Sequence, residues 1–373
     1  MPGPAAVWVY VHDLRATGVV RNAFAIAERL ARDRPTTLVA GYAHGFLRDA
    51  AERLEGVGLI RLRDRAPPAR APRLRVAPAL AAAVARGRPA LVLSAGKFGH
   101  PTLLAAGMGR AEPLRVYRMS NEIGRGRGLR TVGRTLTARA VARDAALVTF
   151  VGESVAASPA FARVLAEGRA EVVHNGVDVD AALVGARAAA PHRWLEEPPP
   201  VVLGVGRLHA QKNWPLLLDA VAEVRRERRV RLVILGRGSD AVADALRTRA
   251  AARGFADDFL LAGESDNVFA WSARAGAFAL PSRWEGSSMA LLEALAVGTP
   301  VVASRQAGDA AHVLDQGRWG LLADAHDVRG FAAALERQLG PDPVRPGDRA
   351  RAFGMAEALD RYALLVARLL GEA

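Results

Sequence analysis

The stretch PSRWEGSSMALLEALAVGTPVVAS (281–304) decides the fold. The apolar run GAFALPS (276–282) ends on a proline and a serine, as a buried strand does at its carboxyl end. A loop then presents Glu285 and Gly286. Ser287 or Ser288 can cap the helix that follows, and Met289, Leu292, Leu295 and Ala296 form its apolar stripe. Gly298 suits the position just past a helix, and Pro300 stops the helix and opens the next strand, PVVAS (300–304). Strand, helix and parallel strand make one βαβ unit.

The same style extends outward. Apolar runs VVLGVG (201–206), RLVILG (231–236) and DFLLAG (258–263) alternate with helical patterns near 214–227, 240–253 and 266–274. Short buried runs alternating with helices predict a parallel sheet covered on both faces. The first half repeats this with strands at 6–11, 36–40, 59–62, 90–95, 115–120, 146–152 and 171–175, and with a helix near 20–32. Between the halves ARAAAPHRWLEEPPP (186–200) reads as a linker, and MAEALDRYALLVARLL (355–370) reads as a closing helix. In such sheets ligands sit at the carboxyl ends of the strands.

Composition narrows the chemistry. The 373 residues suit two α/β domains, and 51% are apolar, enough for two cores. The absence of cysteine removes disulfides, thiolate nucleophiles and Cys-based zinc sites. MPGPAAVWVYV at the start has no cationic region ahead of its apolar run, and no uncharged apolar stretch approaches the roughly 20 residues of a membrane span. A soluble chain, at most resting on a membrane surface, is expected. Of the net charge of +13, residues 1–197 carry 29 Lys+Arg against 17 Asp+Glu, and the remainder 22 against 21. The first half therefore either meets an anionic partner or carries an Arg-rich solvated face.

Glu285 and Glu293 are eight residues apart, roughly 12 Å if the span were helical. That is too far for two carboxylates acting on one bond, which sit about 5–10 Å apart, but it suits the two ends of an extended ligand with a phosphate at the helix start between them. Either glutamate alone reads equally as a surface residue. In GVGRLHAQKNWPLLLDAV (204–221), Gly206 and Arg207 follow a strand and Lys212 opens the next helix. Two preorganised cations can neutralise a departing diphosphate without a metal. Asp178 and Asp180 spell the DxD of metal–nucleotide sites but fall beside the linker, and the histidines lack metal-ligand spacing.

Together GRL..QKN, LGRGS, ALPSRWEGSSMALLEALAVGTPVVAS and WGLLADAHD make residues 201–325 resemble glycosyltransferase family 4. HDLRATGVVRN (12–22) and HNGVD (174–178) extend the resemblance into the first half. It implies an α/β fold of two facing Rossmann-like domains, the GT-B type, with parallel sheets. It divides the chain into an acceptor-side domain over 1–185, a linker over 186–200, a nucleotide-sugar domain over 201–350 and a last helix over 351–373 crossing back to the first domain.

It also implies retaining transfer from a UDP- or GDP-sugar to a glycan or lipid-linked acceptor of the cell envelope or a polysaccharide. By resemblance, Glu285 contacts the donor sugar, Glu293 the ribose, and Arg207 and Lys212 the diphosphate. Gly18 approaches the phosphates; Gly286, Ser287, Ser288 and Met289 border the donor. The acceptor side is expected at His12, Asp13, Lys97, Ser120 and Asn121, with His100 nearby. No cofactor or metal is expected, nor any nucleic-acid partner. The expected location is cytoplasmic, with the basic stretches 61–75 and 125–139 able to rest on an anionic membrane's inner face. An epimerase on the same architecture, or a sugar-nucleotide-binding paralogue without activity, are the alternatives.

Overall fold

The computed structural model describes residues 5–15, 17–68, 72–123 and 129–372, the last stretch without the side chains of residues 129 and 130. The chain forms two compact units, Met1–Asn175 with Ala356–Ala373, and Gly176–Met355.

The first unit is built on seven parallel strands: β1 (Val7–Asp13), β2 (Thr36–Tyr42), β3 (Val57–Arg61), β4 (Leu91–Ser94), β5 (Leu114–Met119), β6 (Leu147–Phe150) and β7 (Ala170–Val172). Their order is β3-β2-β1-β4-β5-β6-β7, and every adjacent pair is parallel. The alternation of a pleated strand explains the two cores. Val7, Val9 and Val11 point to one face, where they meet the helix Gly18–Ala31 and Tyr362, Ala363, Leu365 and Val366 of the last helix. Trp8 and Tyr10 point to the other, against Leu80, Ala83, Ala138 and Val141 of the helices Pro72–Gly87 and Leu129–Asp144.

The last helix, Met355–Leu369, is fixed to this unit by polar contacts as well. Tyr362 Oη accepts from Arg118 Nε at 3.1 Å, and Arg118 Nη2 donates to Asn175 Oδ1 at 2.5 Å. Arg34 pairs with Glu372 at 2.7 Å.

The second unit has six parallel strands: β8 (Val201–Val205), β9 (Arg231–Leu235), β10 (Phe259–Gly263), β11 (Ala277–Leu280), β12 (Val301–Ser304) and β13 (Leu321–Ala323). Their order is β10-β9-β8-β11-β12-β13. Val201, Leu203, Phe278 and Leu280 face one core with the helix Met289–Ala296; Val202, Ala277 and Ala279 face the other with the helices Trp214–Val224 and Val328–Gln338.

Two boundaries differ from the sequence reading. The first unit closes at Asn175, not near residue 185, because the helix Val179–Ala186 buries Ala182 in the second unit's core. The segment 186–200 is part of that unit rather than a free linker. Arg274 donates to the carbonyls of Ala186 and Ala188 at 3.0 and 2.6 Å, and Arg231 donates to the Glu197 carbonyl at 3.1 Å. Strand β13 and the helix Pro72–Gly87, which contains Pro78, carry no sequence expectation. Among the described residues no helix is long and apolar enough to cross a membrane.

Candidate active site

Each sheet reverses its direction of growth once, between β1 and β4 in the first unit and between β8 and β11 in the second. At such a switch point the loops leaving adjacent strands diverge to opposite faces and open a crevice at the carboxyl ends. Most of the charged residues singled out in the sequence stand at these two places.

In the second unit, Gly206 and Arg207 leave β8, and the loop after β11 runs through Ser282 to Glu285. A short 3₁₀ turn, Ala210–Lys212, ends on Asn213 in the left-handed conformation. Asn213 Nδ2 donates to the carbonyls of Pro281 at 3.2 Å and Ala325 at 2.9 Å, which locks the turn onto the β11 loop. Lys212 is thereby aimed back across Gly206. A Cβ on Gly206 would lie 2.5 Å from Lys212 Cε, and the φ of +149° disfavours any other residue, so glycine makes room for the lysine stem.

Lys212 Nζ meets Glu285 Oε1 at 2.7 Å, and both side chains are nearly buried, at 13% and 11% exposure. Ser282 Oγ donates to the same oxygen at 2.8 Å. Gln211 Nε2 donates to Glu285 Oε2 at 3.1 Å and to the Trp284 carbonyl at 2.9 Å. Ser304 Oγ in turn donates to the Ser282 carbonyl. Gly308 presses its backbone against the carbonyls of Glu285 and Gly286, where a Cβ would come within 2.6 and 2.5 Å. The Glu285 carboxylate is thus held by three donors on a backbone that cannot shift. Sequence reasoning missed Gln211 and Ser282; their signal is a polar side chain beside a strand end that tertiary packing buries.

The remaining residues expected on the donor side take simpler positions. Arg207 is exposed, and its guanidinium has no partner among the described residues. Its carbonyl accepts from Trp214 Nε1 at 3.0 Å. The helix after Glu285 starts at Met289, with Ser288 at the N-cap making no side-chain bond to it. Only the second half of the span from Glu285 to Glu293 is helical, so Glu293 stands in the helix's second turn, about 6 Å along the axis from Met289. Gly286 is buried, and Ser287, Met289 and Glu293 are half-buried.

Gly18 belongs to the first unit, at the exposed start of the helix Gly18–Ala31, which Thr17 caps. Asp178 is engaged as the N-cap of the helix Val179–Ala186, its Oδ1 accepting from Ala181 N at 2.9 Å, and Asp180 is exposed near Arg351.

The first unit's switch point holds a cavity of about 690 Å³. His12 and Asp13 line it from the end of β1, as do Arg15, His44, Arg73 and Phe98, which the sequence reading did not name. Asp13 Oδ1 accepts from Arg15 Nε at 2.9 Å. Burial lowers the pKa of His12, and its Nδ1 is buried without a hydrogen-bond partner. Lys97 lies beside the cavity, its Nζ 5.5 Å from the Phe98 ring centre. Ser120 and Asn121 do not line it; Asn121 Oδ1 accepts from the Glu122 amide at 3.0 Å. His100 is buried beneath, bonded through Nδ1 to Ser94 Oγ at 2.8 Å, and burial pushes its pKa down to about 3, so it is a neutral packing residue.

Two doubly wound parallel-sheet units with ligand crevices at their switch points define the GT-B class of fold. Residues 199–340, which include Arg207, Lys212, Glu285 and Glu293, match the family model "Glycosyl transferases group 1". The chain is 35% identical over 179 residues to D-inositol 3-phosphate glycosyltransferase 2 of Catenulispora acidiphila, covering 45% of this chain and 42% of that protein. It is 28% identical over 193 residues to N-acetylgalactosamine-N,N'-diacetylbacillosaminyl-diphospho-undecaprenol 4-alpha-N-acetylgalactosaminyltransferase of Campylobacter jejuni, covering 52% of this chain and 50% of that one. The matches span about half the length of these relatives or less. In structure it resembles HepE of Anabaena in complex with UDP and glucose, with a TM-score of 0.80 at 16% identity over 98% of this chain and 100% of that one.

Proposed function

We propose that this chain is a retaining, metal-independent glycosyltransferase. It moves a sugar from a UDP- or GDP-sugar to a glycan or lipid-linked acceptor used in the cell envelope or a polysaccharide, on the cytoplasmic side. The observation that carries the reading is the buried Lys212–Glu285 pair at the switch point of the second sheet, inside the family-matched segment. Relatives that are glycosyltransferases by name, one with a diphospho-undecaprenol acceptor in its name, support the acceptor class.

In this reading Arg207 and Lys212 receive the diphosphate. As the bond from the anomeric carbon to the phosphate oxygen breaks, charge grows on that oxygen, and a fixed ammonium and guanidinium stabilise it without reorganisation. The acceptor oxygen bonds to the anomeric carbon on the face the diphosphate leaves, and its proton passes to a phosphate oxygen. Glu285 accepts from donor-sugar hydroxyls while fixing the Lys212 ammonium, and Glu293 accepts from the ribose. The basic face of the first unit meets the acceptor and an anionic membrane surface. Val132 and Leu136, at 55% and 57% exposure on the helix Leu129–Asp144, supply an apolar contact there beside Arg134. Arg125 and Arg127 lie outside the described residues, as does the Arg130 side chain.

The test is transfer from UDP- and GDP-sugars to lipid-linked and soluble acceptors, with and without EDTA. Activity should persist in EDTA, and Glu285→Gln should lose most transfer while retaining nucleotide binding. Loss of transfer in EDTA with rescue by Mg²⁺ or Mn²⁺, or wild-type kcat in Glu285→Gln, would overturn it.

A further inference from the structure

Each oxygen of a carboxylate has two lone pairs, so Glu285 offers about four acceptor positions. Oε1 uses both of its positions, on Lys212 Nζ at 2.7 Å and Ser282 Oγ at 2.8 Å. Oε2 uses one, on Gln211 Nε2 at 3.1 Å. Among the described residues no other group donates to this carboxylate, so one position on Oε2 stays open. The Glu285 side chain keeps 11% exposure, which leaves a narrow window for a ligand.

Gln211 sets this count, and it is held where it cannot turn away. Both hydrogens of Nε2 are engaged, one on Glu285 and the other on the Trp284 carbonyl at 2.9 Å. A flipped amide would set its oxygen against these two acceptors, so the chemistry fixes its orientation. The main chain is clamped as well. The Gln211 amide donates to His209 Nδ1 at 3.2 Å, and its carbonyl accepts from the Arg283 amide at 2.9 Å. Gly308, pressed against the Glu285 and Gly286 carbonyls, keeps the partner loop from shifting.

We propose that Gln211 is a positioning residue for the donor sugar: by filling one acceptor position of Oε2 it holds Glu285 to a single sugar hydroxyl. This rests on the reading of Glu285 as the donor-sugar contact. With the Gln211 donor removed, Oε2 has two open positions, and the neighbouring hydroxyls of a hexose stand close enough to share one oxygen. Through Glu285 the protein therefore reads one carbon of the donor sugar and is indifferent to the next. Ser282 also fills a position, but it is fully buried, so the site it closes on Oε1 faces the packed interior.

The test is a set of donor affinities, measured by calorimetry on the full chain without acceptor. UDP and GDP are titrated first, then UDP-glucose, UDP-galactose, UDP-N-acetylglucosamine and GDP-mannose. The donor bound most tightly is compared with its monodeoxy analogues. A hydroxyl belongs to Glu285 when its removal weakens binding in the parent but far less in Glu285→Gln, where the charge is gone. One hydroxyl should meet that standard, with a loss of about thirtyfold, in the range for a hydrogen bond to a charged group. In Gln211→Leu a second hydroxyl, on the adjacent carbon, should become sensitive by about tenfold. Ser282→Ala likewise removes one donor to Glu285, yet should keep the parent's pattern. The parent count decides by itself if Gln211→Leu does not fold. No Glu285-dependent hydroxyl in the parent, or two, overturns the proposal. So does a Gln211→Leu pattern equal to the parent's, or the same new sensitivity in Ser282→Ala. Failure of both UDP and GDP to bind would instead remove the donor reading, and this role of Gln211 with it.

Discussion

Replacing Lys212 by methionine removes the ammonium and keeps an aliphatic stem above Gly206. At the observed 2.7 Å separation, two unit charges attract by about 6 kcal/mol at an effective dielectric constant of about 20. Most of that is offset by removing both groups from water. In Lys212→Met the Glu285 carboxylate keeps its bonds from Ser282 and Gln211, so the cost falls short of that of a bare buried charge. About 2 kcal/mol, the range for a hydrogen bond to a charged group, is the expected loss. For a unit of this size that lowers Tm by roughly 4–8 °C. Five of the six tryptophans, Trp194, Trp214, Trp271, Trp284 and Trp319, lie in the second unit, so tryptophan fluorescence follows its melting. Glu285→Gln should also destabilise, by stranding the ammonium. The double variant Lys212→Met/Glu285→Gln should melt above the sum of the two losses, with a coupling of about 2 kcal/mol. Strictly additive losses would refute the idea that the two charges support each other.

Glu293→Ala should weaken UDP or GDP binding about tenfold in calorimetry while leaving the melt of the second unit nearly unchanged; unaltered affinity for both would exclude the ribose role. Arg207→Ala should cost roughly 2–4 kcal/mol in kcat/KM with little change in Tm, because Arg207 is exposed and without a partner among the described residues. The folded pKa of His100, about 3, lies below its ordinary value of 6.5, so the unfolded chain takes up this proton first as pH falls. Its contribution is complete above pH 6.5 and is lost toward pH 3, at about 1.4 kcal/mol per pH unit. Circular dichroism melts of His100→Gln should show a shallower fall in Tm between pH 6.5 and 5 than the parent, and an equal fall would contradict this. Sedimentation with liposomes should rise with anionic lipid, fall with salt, and drop in Val132→Ser/Leu136→Ser and in Arg134→Gln; binding unchanged in all three would remove this helix from the contact.

The doubly wound fold was legible because buried parallel strands are short continuous apolar runs between helical periods. Twelve of the thirteen strands fall on runs visible in the sequence. β13 escaped because Leu321–Ala323 is three residues long, too short for a period to show. The helix Pro72–Gly87 escaped because Pro78 speaks against it locally and burial of Val76, Ala77, Leu80 and Ala83 overrides it. That Arg207, Lys212 and Glu285 stand near the carboxyl ends of β8 and β11 was legible too, since each follows an apolar run in the sequence.

What sequence could not supply is which of those groups touch. Lys212 and Glu285 are 73 positions apart, and their pairing depends on Asn213 fastening one loop to another. Ser282 and Gln211 come to hold the Glu285 carboxylate by being buried beside it, a property of the packed unit. Arg15, Arg73 and Lys97 meet around Phe98 because β1 and β4 end, and the helix Pro72–Gly87 begins, at one place. Local periodicity is written along the chain, and so the elements follow from it. Desolvation, charge pairing and the sharing of one cavity depend on contacts between distant segments, and only the tertiary structure decided those.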